Sequence, residues 1–202
     1  VTGASLTKPF GRPSADQWGL PALLAALSLL LWCLPQWHDA LVWSREGLAQ
    51  HQWWRLWSGH LLHTNGHHLL MNLGGLAVIF ALHQPHYRFL PMLLLCLLMM
   101  PLISLGIELW VPAINRYVGL SALLHGLFTW GALQDIRQGW RSGYLLLLGV
   151  VLKVGYENTQ GGTETIAALI DARVAVESHL MGVLSALLLF VGARLLRRVT
   201  GD

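Results

Sequence analysis

The sequence predicts an all-α integral membrane protein of six transmembrane helices, and three observations carry that prediction. Of 202 residues, 54% are hydrophobic and 11% charged, where a soluble domain has about 25% charged. The mean hydropathy is +0.53. Ten Trp and four Tyr supply the amphipathic rings that settle at lipid headgroups. A net charge of +3 is too small and too scattered for a nucleic-acid partner, and a polytopic protein acquires such a surplus from its cytoplasmic loops. Cys33 and Cys96 both fall in apolar runs, so they read as reduced, packed thiols and not as a disulfide framework.

Taken in order, residues 1–16 form a short polar cytoplasmic tail, and residues 17–198 the membrane domain. The first span covers Trp18–Leu34 and is stopped by Pro35. Lys8 and Arg12 precede it as in a signal peptide, yet no small-x-small cleavage site follows, so a retained signal-anchor is expected. The loop 36–58 carries Trp37, Trp43, Trp53, Trp54 and Trp57 among polar residues, the pattern of an interfacial segment lying along the membrane surface. The second span, His60–Leu82, begins with four His and two Asn. The third, Phe89–Trp110, is rich in Leu and Met and ends before Pro112. The fourth and fifth, Gly119–Leu133 and Tyr144–Tyr156, fall short of the ~20 residues a bilayer-crossing helix needs. They are expected to be shielded by neighbours or to stop short of one face. A polar stretch, 157–173, leads to the sixth span, Val174–Leu196.

Orientation follows from the basic residues. With the N-terminus inside, Lys8, Arg12, Arg88, Arg137, Arg141, Arg194, Arg197 and Arg198 are cytoplasmic, against Arg45, Arg55, Arg116 and Arg173 outside. The excess on one side sets both termini inside. The starts of spans two, four and six then share the outer side, which places His68, Ser121 and His179 at similar depth.

Those residues suit acyl transfer. Ser121 follows Gly119-Leu120 at the start of an apolar run, where a helix N-terminus supplies backbone N–H groups and a positive dipole end. His179 stands about one turn into span six and can act as base and then acid near neutral pH. Gly182 and Ala186 follow at i+3 and i+7, a small-residue face that lets another helix approach closely. His68 and Asn72 share a helix face four residues apart and offer N–H donors for an oxyanion. The bland reading of Asn72 is an interhelical hydrogen bond, and that of His179 a solvated interfacial histidine. His125, four residues after Ser121, is placed to touch its hydroxyl or to stack on His179, a supporting role. Glu108, Lys153 and Glu177 read as snorkelling or locally paired charges. His60, His63, His67 and His68 invite a metal, but no carboxylate lies among them and no His-Glu-x-x-His occurs. No metal or other cofactor is expected.

Trp54-Arg55 in the first loop, His63, His68-x-x-x-Asn72, Gly119-Leu120-Ser121 and His179-x-x-Gly182 occur in an order and spacing that together resemble the rhomboid family of intramembrane serine proteases. The resemblance covers about residues 50–190. It implies a six-helix rhomboid-like bundle and a Ser121–His179 dyad with no acidic third member. It also implies an oxyanion site made by His68, Asn72 and the Ser121 N–H, with water entering from the periplasm and span five acting as gate. The chain departs from the family in having Ala122 after the serine, where Gly is usual, and His125 where Tyr is common. Gly119-Leu-Ser-Ala-Leu-Leu-His-Gly126 is similar to the rhombosortase branch. That implies a bacterial inner-membrane enzyme cleaving secreted proteins with a C-terminal tail of Gly-Gly motif, apolar helix and basic end. A general rhomboid protease on other single-span substrates, a non-catalytic rhomboid-like binder of membrane segments, and a His-rich metal or haem carrier are the alternatives.

Overall fold

The computed structural model describes residues 11–200; the first ten residues of the expected tail, with Lys8, lie outside them. Six long helices carry the architecture: α1 (Ala15–Trp32), α2 (Gly66–His83), α3 (Phe89–Trp110), α4 (Ser121–Arg137), α5 (Ser142–Gln160) and α6 (Val176–Thr200). Helices α1, α2, α3 and α6 are long and apolar enough to cross a membrane. Their outer faces expose Leu30, Leu70, Leu94, Leu109 and Leu188, an apolar surface far larger than a water-soluble protein tolerates.

Local chemistry sets the helix starts. Ser14 caps α1 through a reciprocal box with Gln17, its hydroxyl accepting from the Gln17 N–H at 3.3 Å and its own N–H donating to Gln17 Oε1 at 2.8 Å. Asn65 caps α2 by accepting from the His68 N–H at 2.9 Å. α2 therefore begins six residues later than the sequence suggests. His60 belongs instead to a separate 3₁₀ turn, Gly59–Leu61.

α4 is the central helix. It packs against α2, α3, α5 and α6, which surround it. Its buried residues include Thr129 and Asp135 beside Leu123 and Leu127. α5 is longer than expected, running four residues past Tyr156 to Gln160. A further helix, Glu164–Ile170, occupies the stretch taken as a polar connection. Tyr144, Leu145, Leu148, Val151, Leu152 and Tyr156 leave the outer face of α5 apolar and exposed.

The loop 36–58 is a built structure. Its strand β1 (Trp43–Ser44) pairs antiparallel with β2 (Arg116–Tyr117), just ahead of α4. Trp37, Trp53 and Trp54 are about half exposed, as interfacial rings should be, but Trp43 is wholly buried in the core. Arg116 pairs with Asp39 across this ribbon and holds that carboxyl below its ordinary value. Arg45 spends its guanidinium on the carbonyls of Ile107, Glu108, Val111 and Ile114. It thereby ties the end of α3 to the segment that follows and also pairs with the Glu108 carboxylate at 3.0 Å.

Arg55 does similar work within the loop. It donates to Asp39 O at 2.9 Å, to Val42 O and to Gln52 Oε1 at 2.6 Å. Gly47 lies so close that a Cβ there would meet Arg55 Nε at 2.4 Å. Arg55→Ala is expected to lower stability by about 1–3 kcal/mol, because buried carbonyls lose their donor. Arg55→Lys should restore little, since one ammonium cannot reproduce the planar fork. Thermal melting in detergent checks both; a lysine variant as stable as wild type would contradict the account.

Of the cysteines, Cys96 is buried as expected, whereas Cys33 is exposed beyond the end of α1; both are free.

Candidate functional site

Three helices bring the candidate residues together. Ser121 opens α4, and no side chain caps that end, so the first-turn N–H groups remain available to an anion. The approach to this end demands glycine. Gly119 has φ +124°, and a Cβ there would sit 2.8 Å from both Cε1 and Nε2 of His68. Its N–H donates to Gly59 O at 3.1 Å, and its carbonyl accepts from the Tyr117 hydroxyl at 2.7 Å. The turn before the serine is thus fixed by the loop, by β2 and by a ring of α2.

His179 is buried on α6, and its Nε2 lies 3.2 Å from Ser121 Oγ. The closeness of α4 and α6 has a local cause. At Gly182 an added Cβ would stand 2.1 Å from the Ala122 carbonyl oxygen, and at Gly126 one would stand 3.0 Å from Gly182 O. The glycine on α6 is what lets that helix approach the Ala122 carbonyl, and Ala122 itself is fully buried.

On α2, His68 and Asn72 are both buried and face Gly119; Asn72 Nδ2 would lie 3.8 Å from a Cβ placed there. The Asn72 amide nitrogen makes no hydrogen bond, so a buried donor stands ready for an acceptor. His68 Nδ1 lies 3.4 Å from the Thr64 backbone nitrogen and 3.1 Å from the Thr64 hydroxyl oxygen, whose own hydrogen goes to Ile170 O at 2.6 Å. Nε2 is the ring nitrogen nearest Gly119. His63 is buried edge-on against His68, centroids 5.0 Å apart, and buttresses that ring.

The remaining candidates lie elsewhere. Trp54 donates from Nε1 to Ala40 O at 3.0 Å and, with Arg55, ties the first loop together from within. His60 is buried against Met100 O and Ser104 Oγ at 3.1 and 3.0 Å, and His67 is exposed. The clustered histidines of the second span therefore do not converge on one point. Glu177 pairs with Arg173 on the same stretch of chain.

One correction is substantial. An acidic third member was not expected, yet Glu157 of α5 places Oε2 3.0 Å from His179 Nδ1. Its other oxygen takes Lys153 Nζ at 2.6 Å. Lys153 Nζ also lies 3.0 Å from His125 Nε2. His125 Nδ1 donates to Ser121 O at 2.8 Å, and its ring stacks on His179 with centroids 4.1 Å apart and planes at 14°. His125 thus touches the serine's carbonyl and the base's face, not the hydroxyl. The sequence signal for Glu157 was its i+4 spacing from Lys153 on an apolar helix. It was lost because the fifth span was ended at Tyr156, one residue short.

Ser121, His179, His68, Asn72, His125, Lys153 and Glu157 line one cavity of about 810 Å³ between α2, α4, α5 and α6, walled also by Met71, Val78, Leu124 and Val150. Chemically the arrangement offers a hydroxyl, an imidazole with a carboxylate behind it, unspent N–H donors and an apolar wall. No protein-family model matches the chain, and no curated protein matches it. The fold and site define a helical protein with four helices long and apolar enough to cross a membrane and with a half-buried serine beside a buried histidine.

Proposed function

We propose that this chain is an intramembrane serine endopeptidase of rhomboid type, most like a rhombosortase. The observation that carries the reading is the 3.2 Å contact between Ser121 Oγ and His179 Nε2, inside a cavity that also holds His68 and Asn72. Six helices cross the bacterial inner membrane, α4 and α5 among them, with both termini cytoplasmic and the cavity opening to the periplasm. The substrate is a secreted protein with a C-terminal Gly-Gly motif, an apolar helix and a basic end. Its glycines ease local unwinding of the helix at the scissile bond.

The substrate segment enters between α2 and α5, which face each other across the cavity. Ser121 Oγ attacks the scissile carbonyl carbon as its proton passes to His179 Nε2. The oxyanion accepts hydrogen bonds from His68, Asn72 and the Ser121 N–H. The C–N bond then breaks, and His179 delivers the proton to the leaving amine. A water, deprotonated by the same ring, hydrolyses the ester and regenerates the serine.

The test is co-expression with Gly-Gly-tailed secreted proteins and mass spectrometry of their C-termini. The expected result is a new C-terminus near the Gly-Gly motif, made only with active enzyme. Cleavage of ordinary single-span proteins and not of these tails would favour a general rhomboid protease; intact tails with a serine unreactive toward fluorophosphonates would leave a binding protein.

A further inference from the structure

We infer that Glu157 is a positioning residue for His179, so that the site is a Glu157–His179–Ser121 triad, with Lys153 as the cation that holds Glu157 in place. The inference rests on the hydrolase reading of this site.

Hydrogen bonding on the two ring nitrogens of His179 is the first argument. Glu157 Oε2 at 3.0 Å accepts the hydrogen of Nδ1. The lone pair is then on Nε2, which faces the Ser121 hydroxyl at 3.2 Å. Only that tautomer can remove the hydroxyl proton, and a carboxylate behind the ring also stabilises the imidazolium that forms.

The second argument is that the surrounding bonds all agree with this assignment. His125 gives its Nδ1 hydrogen to Ser121 O, which leaves Nε2 to accept from Lys153. Lys153 directs another hydrogen to Glu157 Oε1. Glu157 is thereby fixed from one side by an ammonium and spends its other oxygen on the base. The His125 ring, nearly parallel to His179 at 4.1 Å, blocks one face of the imidazole and resists its rotation. Every hydrogen along the path Ser121–His179–Glu157–Lys153–His125–Ser121 has one donor and one acceptor.

Two other uses of these residues lead elsewhere. Lys153 and Glu157 are spaced as an ordinary helix ion pair. But an ion pair at the surface has no need of a buried imidazole, and His179 side-chain exposure is 7%. His125, Glu157 and His179 also bring ligand atoms within 4.8 Å of one another, as a metal site would. The Lys153 ammonium already takes the position a cation would fill, bound to two of the three residues.

The test reads the rate at which a fluorophosphonate labels Ser121 in purified protein in detergent micelles, as a function of pH. The groups facing His179 are His125 on α4, Lys153 and Glu157 on α5, and His68 on α2, with the Tyr117 hydroxyl beside Ser121 and Ser178. Glu157→Gln is expected to slow labelling about tenfold or more near neutral pH. It should also move the acid limb to lower pH, because the imidazolium loses its anionic partner. Lys153→Met should move the limb the opposite way, since a positive charge leaves the neighbourhood; Glu157→Asp should recover part of the rate.

Glu157→Gln that elutes and melts like wild type, labels at the wild-type rate and keeps its acid limb would overturn the triad while leaving the protease intact. Should that variant not fold, an unmoved limb in Lys153→Met overturns it equally. Stoichiometric zinc retained by wild type and lost with Glu157→Gln would overturn it in favour of a metal site. Failure of wild type to label at all would remove the hydrolase reading, and the triad with it.

Discussion

Ser121→Ala is expected to melt at the wild-type temperature and to cleave nothing. The hydroxyl is half-buried at a helix start, 3.2 Å from His179 Nε2 and beside the Tyr117 hydroxyl, so its removal opens no cavity worth a methyl group. Loss of rate is another matter. Residues that act as one unit are not additive, and loss of a serine nucleophile costs on the order of 10⁶ in turnover where it has been measured in a soluble protease. His179→Ala should fall into the same range, and the double variant should be no worse. Quantitative cleavage assays check this; residual turnover within tenfold of wild type for Ser121→Ala would end the nucleophile assignment.

The second large effect is structural. Gly182→Ala is expected to destabilise the protein by about 3 kcal/mol and to abolish fluorophosphonate labelling together. A methyl at that position would stand 2.1 Å from a backbone oxygen of α4 and 3.2 Å from the Gly126 nitrogen. Side chains can turn away from an intruder; main chain inside two packed helices cannot, so the helices must separate. His179 lies one turn before the contact, and its 3.2 Å reach to Ser121 has no slack. Melting and labelling of the same preparation check the coupling. Normal labelling with reduced stability would mean that α6 can shift without carrying the base away.

How much of this could be read beforehand depended on the reach of each signal. Ser121, His179 and Gly182 were legible because their cues are local: a glycine before a serine at the start of an apolar run, and a histidine three residues ahead of a small one. His68 and Asn72 were legible because four residues is one helical turn. Trp43 was misread because a tryptophan in a polar loop gives no hint that a partner strand far along the chain will bury it. Glu157 was missed for a different reason. Apolar content fades before the helix does, and Val154 is the last residue of α5 to be buried, so a hydropathy boundary fell just ahead of the one carboxylate that meets the base. The stretch 157–173 likewise hid the Glu164–Ile170 helix, whose start is marked only by the Thr163 cap.

The ribbon that joins Trp43–Ser44 to Arg116–Tyr117 has a consequence for biosynthesis. The turn that presents the serine is braced by a segment made much earlier, and the imidazole arrives on α6, after the five other long helices. A nascent chain that has made only those five helices therefore carries the Ser121 hydroxyl without the His179 imidazole. Under the proposed mechanism such a chain is inert, and Ser121 gains its partner only once α6 is in place.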